Sequence, residues 1–334
     1  MSQQFPFKNL VFKGGGVKGV AYLGAIEVLG QQGILPCIER VAGSSAGAIT
    51  AMALSFPLTA PQIVDLVNTL DFSRIAGGGT ADIPFVPEIL KKELGKLFGD
   101  VDSLLRLLFR YGLHTSDYFY DWLKQTIAGQ CGGDAMATFR EFHERGFRDL
   151  HVTSADTSLH ITHYFSAALS PDVAVADAVR MSMSLPFFFV PQRFDGTTVG
   201  KGNYFVDGGT QNNYPLSIFD APAYGGPSYI NWDTLGFFLY TAEENIRPAQ
   251  IDNLVQYIEN MVETLLAAQD VLARASEGDV LRTVLVSDCG VATTDFNIKP
   301  GDPTYEKLVQ SGRQATHAYL ASYKPPTAPI SPAV

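Results

Sequence analysis

Ser45 stands at the centre of Gly43-Ser44-Ser45-Ala46-Gly47, the pattern Gly-x-Ser-x-Gly. A serine oxygen becomes a useful nucleophile when the fold presents it openly and a neighbouring base takes its proton. The surrounding residues address presentation. An apolar run, 37–42, leads in, and a helix-like run, 46–54, leads out. Strand, sharp turn and helix in that order lift the serine oxygen above a sheet, in the manner of a nucleophile elbow. A side chain on either flanking glycine would crowd the turn and block an approaching acyl group. For the base, Asp207 opens Asp207-Gly208-Gly209 directly after the short apolar run 204–206. Open parallel sheets gather their sites along the carboxyl edge. By itself the segment also reads as a plain turn, because Asp-Gly is a common turn pair.

Acyl transfer also needs donors for a developing oxyanion. The loop 14–19, Gly14-Gly15-Gly16-Val17-Lys18-Gly19, offers backbone N–H groups at a helix N-terminus, where the helix dipole helps. The same six residues match Gly-x-Gly-x-x-Gly after a strand, with Glu39 further on, which is a dinucleotide fingerprint. A nucleotide-binding oxidoreductase is therefore an alternative. A Walker A loop is excluded, since no Gly-Lys-Ser/Thr follows. Histidine fits poorly as a third catalytic group. His317 alone follows Asp207, and it sits in the closing helix pattern rather than a loop. His160 and His163 have no metal-ligand context, and Cys37, Cys131 and Cys289 form no Cys-x-x-Cys pair. The expectation is buried free thiols, no metal and no organic cofactor.

These groups need a frame. Residues 10–12 read as a strand, 17–32 as a helix stopped by Gly33, and 37–42 as the next strand, followed by the elbow and its helix. That order favours a parallel sheet with crossover helices. Further along, helices are expected over 61–68, 116–127 (with Ser116 as cap), 174–182, 248–275 and 305–323. Strands are expected over 150–155, 161–165, 204–206, 235–240 and 283–286. Residues 76–87 read as a loop or domain edge. The stretch 88–111 is amphipathic, with lysines and arginines between leucines; it suits either a lid or membrane-docking element or an ordinary packed helix. The chain has 334 residues, 46% apolar and 17% charged, enough for a large core and against disorder. A net charge of −10 argues against nucleic-acid binding. No signal-like N-terminus or spanning apolar run is present, so the expected location is cytoplasmic or peripheral to a membrane, with export by a route without a cleaved signal still open.

Together, residues 14–19, Gly43-Ser44-Ser45-Ala46-Gly47 and Asp207-Gly208-Gly209 resemble the patatin-like phospholipase family. Ser182-Met183-Ser184-Leu185-Pro186 and Asn213-Tyr214-Pro215 add to the resemblance, which runs from about Leu10 to Ala321. Lys18 stands where arginine is also common, and the segment between Gly77 and Gly112 aligns poorly. The resemblance implies a three-layer α/β/α fold with a central, mostly parallel sheet. The domain would cover 1–323, with a helical insert or lid at about 77–130, before a flexible, proline-rich tail at 324–334. It implies a lipid acyl hydrolase of phospholipase A or lysophospholipase type, with Ser45 as nucleophile and Asp207 as base. Gly14, Gly15, Gly16 and Ala46 would supply the oxyanion hole. Lys18 could meet a headgroup phosphate, or be a solvated surface lysine. The implied partners are a phospholipid or lysophospholipid substrate and a membrane surface. A non-catalytic lipid-binding module on the same fold is a further alternative. Headgroup, chain length, any activating protein and oligomeric state are not specified.

Overall fold

The computed structural model describes residues 5–75, 101–224, 230–252, 254–273 and 276–325. Strand β1 (Asn9–Phe12) is buried along its whole length, as a central parallel strand must be. Its neighbours are β2 (Arg40–Ser44) and β9 (Thr234–Tyr240), with β10 (Thr283–Ser287) beyond β9 and β4 (Asp149–Asp156) beyond β2. These five run parallel. Three antiparallel strands complete the sheet: β5 (Ile161–Phe165) and β8 (Asn203–Asp207) against β4, and β7 (Gln192–Phe194) against β8. The sheet is therefore mixed but mostly parallel, as expected.

Side chains alternate across β1. Leu10 and Phe12 face the larger core, packed by α1 (Ala21–Gln31), α2 (Ala46–Ser55), α3 (Ala60–Asn68), and α7 (Val175–Ser182) and α10 (Pro303–Ser322) later in the chain. Val11 faces a smaller cluster with Ala42, Tyr214, Leu216, Phe219 and Phe238. That face is covered by short 3-10 turns, including Leu216–Asp220.

Two boundaries differ from expectation for local reasons. The glycine loop enters its helix through a 3-10 turn, Gly16–Val20, so α1 starts at Ala21. Pro36 lies in a second 3-10 turn, Leu35–Cys37, which delays β2 to Arg40. The expected loop at 76–87 and residues 88–100 of the amphipathic stretch lie outside the described residues; its remainder is α4 (Val101–Arg110) and the following turn. α5 (Asp117–Gln130) follows Ser116, whose hydroxyl makes no cap and instead accepts a hydrogen bond from Arg180. α6 spans Phe139–Glu144, and two short strands, β3 (Gly112–His114) before α5 and β6 (Phe187–Phe189) after α7, form a small separate parallel sheet. The long helix expected at 248–275 is α8 (Leu254–Ala273), followed by α9 (Glu277–Leu281). Among the described residues, no helix is long and apolar enough to cross a membrane.

Candidate active site

Ser45 occupies the turn between β2 and α2 with φ 54 and ψ −126. A non-glycine residue on the positive-φ side of the Ramachandran map is strained, and such strain gathers at functional sites. The turn closes only because its glycines lack side chains. A Cβ on Gly43 would strike the Gly47 carbonyl, and one on Gly47 would strike the carbonyl of Phe12. The small residues of the elbow thus bring the β1 loop and the serine together.

The strained amide is held by a neighbouring helix on the same face of the sheet. The Ser45 N–H donates to the Ser182 hydroxyl at 2.8 Å, in a fully buried contact. Ser182 ends α7, and the chain then passes Met183, whose sulfur lies 3.8 Å from the Ser45 oxygen. The Ser184 carbonyl accepts the Asp207 N–H at 2.8 Å. One short segment therefore braces both the serine and the acid. Ser182→Ala is expected to leave the buried Ser45 amide without its acceptor and to lower unfolding free energy by about 1–3 kcal/mol, measured by urea titration.

Asp207 arrives differently from expectation. Its strand is antiparallel to β4, not part of the parallel set. It reaches the site because β4 outruns β2: Ser44 pairs with Thr153, while Asp207 pairs with Ser154. The acid is completely buried. Its Oδ1 accepts the Gly209 N–H at 2.7 Å, and its Oδ2 has no hydrogen-bond partner of ordinary geometry among the described residues. Burial raises its pKa to about 7; interactions with the Ser45 hydroxyl and the Gly209 amide offset part of that rise. The two side chains, just under half the chain apart in sequence, are neighbours, although the resting geometry is looser than a short hydrogen bond.

The glycine loop lies beside them. An added Cβ on Gly14 would come 2.9 Å from the Ser45 Cβ. The Gly14 N–H, expected among the oxyanion donors, is committed to the Asn213 carbonyl at 3.0 Å, so it is unsuited to that role. Among the described residues, no hydrogen bond outside their own helical turns uses the N–H of Gly15, Gly16 or Ala46. Lys18 also departs from expectation. Its ammonium lies 3.1 Å from the buried Asp288 carboxylate, which also accepts from Thr241 at 2.6 Å. Lys18 braces the loop instead of facing solvent. Lys13 does the same on the other side, donating to Asp270 of α8 at 2.9 Å.

α8 roofs the site. Ile258, Val262 and Leu266 recur at intervals of four along one of its faces and line a narrow apolar cleft with Leu185, Pro186 and Phe188. Leu266 packs beside Gly209 and so brings the cleft to the acid.

The geometry weakens the dinucleotide alternative. Glu39 precedes β2 at its amino end and is ion-paired with Lys8 and Arg40, whereas a ribose acceptor belongs at the carboxyl end of that strand. His317 is exposed on α10. Among the described residues, no group of three or more His, Cys, Asp or Glu is arranged to hold a metal ion.

A family model described as patatin-like phospholipase matches residues 10–220, a span holding the glycine loop, the elbow and Asp207. The chain belongs to the patatin-like phospholipase family. Among curated relatives, the uncharacterized protein YqhO of Bacillus subtilis (strain 168) is 27% identical over 319 residues, covering 94% of this chain and 98% of YqhO. The probable lipid hydrolase 463L of Invertebrate iridescent virus 6 is 24% identical over 213 residues, covering 64% of this chain and 63% of its own. Among solved structures, VipD from Legionella pneumophila superposes with a TM-score of 0.59 at 20% identity, covering 95% of this chain and 67% of VipD. ExoU of Pseudomonas aeruginosa, solved in complex with SpcU, gives 0.50 at 18% identity, covering 96% of this chain and 53% of the solved one. At these identities the two structures support a shared fold.

In this patatin-like chain, the sequence pointed to a serine and an aspartate that the fold brings together, but not to the Ser182 brace or the roof formed by α8. Ser182 lay inside a recognised motif, yet nothing local marks a hydroxyl as the acceptor for an amide 137 residues earlier. The i, i+4, i+8 spacing of Ile258, Val262 and Leu266 was visible, but it predicts only a buried face and not what that face covers.

Proposed function

We propose that this patatin-like lipid hydrolase is a phospholipase A or lysophospholipase that works through an acyl-Ser45 intermediate, with Asp207 as general base. The observation that carries the reading is a strained, buried serine beside a fully buried carboxyl group whose pKa is raised to about 7. At that value a useful fraction is ionised at neutral pH, and the group can both take and return a proton. An inert lipid-binding module would have no use for either costly feature.

In the first step, Asp207 takes the Ser45 proton as the oxygen attacks the ester carbonyl. The N–H groups of Gly15, Gly16 and Ala46 are the available donors for the oxyanion. As the tetrahedral intermediate collapses, Asp207 gives its proton to the leaving alcohol. It then takes a proton from a water that attacks the acyl-serine and returns it to the Ser45 oxygen as the acyl–oxygen bond breaks and the fatty acid departs. The apolar cleft beneath α8, closed to about 10 Å³ in this structure, is the route for the acyl chain once it widens. Gly209 holds Oδ1, leaving Oδ2 as the oxygen for proton transfer.

The direct test is fatty-acid release from a panel of phospholipids, lysophospholipids and neutral glycerides, with the Ser45→Ala protein run in parallel. Release from glycerides alone would redirect the substrate assignment; equal release by both proteins would remove Ser45 from the chemistry. The cleft gives a second expectation. Val262→Trp should lower kcat/KM for long-chain esters about ten- to hundredfold while leaving an acetyl ester within about threefold. An equal loss on both substrates would place the acyl chain elsewhere.

A further inference from the structure

We propose that the cavity between α4, the end of α7 and β7 is a second lipid site, which takes the phosphate-bearing headgroup of an anionic phospholipid while Leu108, Phe109 and Tyr111 enter the bilayer around it. The protein carries a net charge of −10, yet the walls of this cavity of about 380 Å³ bring together Arg106, Arg110, Arg180 and Arg193, with Asp117 as the carboxylate among the described lining residues. Among the described lining residues four guanidinium groups face one carboxylate, which is paired with Arg180, and such an excess of cationic side chains favours an anion.

The arginines are positioned by the fold. Arg106 is only 3% exposed and donates to the Leu113 carbonyl. Arg180 donates Nε to the Ser116 hydroxyl and a terminal nitrogen to Asp117, both at 2.8 Å. Arg193 donates Nε to the Gly202 carbonyl at 3.1 Å. Planar guanidinium forks held in this way suit phosphate oxygens better than mobile ammonium groups do.

The rim selects the source of the phosphate. Leu108, Phe109 and Tyr111 are 62%, 54% and 53% exposed, and Phe109 and Tyr111 also line the cavity. Tyr111 has φ 64; Phe187, opposite Gly112 in the small sheet, has φ 65 and is itself exposed. Two aromatic residues in strained left-handed conformations, both displayed to solvent, gain nothing from water. A soluble phosphate or a polynucleotide would bind the arginines without rewarding this rim, and the overall negative charge opposes a polynucleotide. An anionic bilayer satisfies the arginines with headgroups and the rim with acyl chains. The site is distinct from the dyad, and its occupation can be read by binding alone.

The test is flotation of the full-length Ser45→Ala protein with vesicles of phosphatidylcholine, either pure or containing phosphatidic acid. Binding is expected to require phosphatidic acid and to weaken with salt. Arg193→Glu should reduce it about thirtyfold, the effect of changing two unit charges near an anionic surface. Arg193→Lys, which keeps the charge but loses the fork, should fall between the parent and Arg193→Glu, and Phe109→Ser, on the exposed rim, should reduce binding severalfold. Arg193→Glu with Ser45 intact should still hydrolyse a soluble short-chain ester at the parent rate, which also reports its folding. Unchanged vesicle binding by Arg193→Glu, or equal losses with Glu and Lys, would overturn the site. Full displacement by inositol hexakisphosphate together with no effect of Phe109→Ser would identify a soluble-anion site and overturn the bilayer assignment.

Discussion

Asp207→Asn is expected to lower ester hydrolysis roughly 10²–10⁴-fold and, above neutral pH, to make the protein more stable than its parent. Both effects come from one cause. The folded protein holds Asp207 at a pKa of about 7, against an ordinary carboxylate value of about 3.9 in the unfolded chain. Between those values the folded state keeps a proton that the unfolded state has lost. Stability linked to this group is therefore present in acid, declines as pH rises from about 4 to about 7, and levels off above. A shift of about three units corresponds to at most about 4 kcal/mol. Asparagine does not ionise, and its side-chain oxygen can still accept the Gly209 N–H. The stability gap between variant and parent should be near zero at about pH 4 and approach its full size at about pH 8, measured by urea unfolding. A gap that does not change with pH would mean that the acid does not enter the folded state with a raised pKa. In the parent, kcat/KM should rise with pH through an apparent pKa of about 7, whereas the residual rate of the variant should lack that step and lie roughly 10²–10⁴-fold lower.

In the proposed mechanism, this balance is what would let a dyad work without histidine. An imidazole titrates near neutrality unaided, while a carboxyl group must be desolvated to do so. Asp207 lies at the buried end of its strand and receives one firm hydrogen bond, from Gly209, rather than the several that would hold a carboxylate ionised. The chemical capacity and the destabilisation of the native state are the same property.

The parts of the site that were readable in advance are those whose signal is local. Gly43 and Gly47 mark a turn that no larger residue could make, and the order of strand, glycine loop, helix and strand predicts the parallel core around β1. What could not be read was decided by contacts between distant segments. The amide of Gly14 looks like its neighbours in sequence, but Asn213 removes it from the available donors. Lys18 reads as a solvated lysine until Asp288 is folded against it. The strand before Asp207 carries no mark of its direction, since a three-residue apolar run suits parallel and antiparallel pairing alike. Phe187, Phe188 and Phe189 form a strand only because Gly112 to His114 supplies the partner. The amphipathic stretch 88–111 suited both a lid or membrane-docking element and an ordinary packed helix; its described end places exposed Leu108, Phe109 and Tyr111 beside the arginine cavity, a juxtaposition that requires β7 and α7 to be in place.

Replacing Ser45 should have the largest effect on turnover and leave the fold nearly untouched. Ser45→Ala is expected to lower kcat by on the order of 10⁴–10⁶ and to eliminate covalent labelling by a fluorophosphonate, read as loss of the mass increment on the peptide holding residue 45. Alanine at φ 54 is strained as serine is, so stability should change little. Ser45→Gly makes the complementary variant: it relieves that strain and should raise unfolding free energy by about 1 kcal/mol while remaining equally inactive. Activity lost in both variants, with stability moving in only one, separates the missing oxygen from damage to the elbow. The alanine protein carries one further consequence. The Ser45 hydroxyl is among the groups that hold the Asp207 pKa down, so its removal should move the acid above about 7. The pH at which stability levels off should shift upward in Ser45→Ala relative to the parent. An unshifted titration would mean that the serine and the acid do not interact, and labelling that survives in Ser45→Ala would assign the nucleophile to another residue.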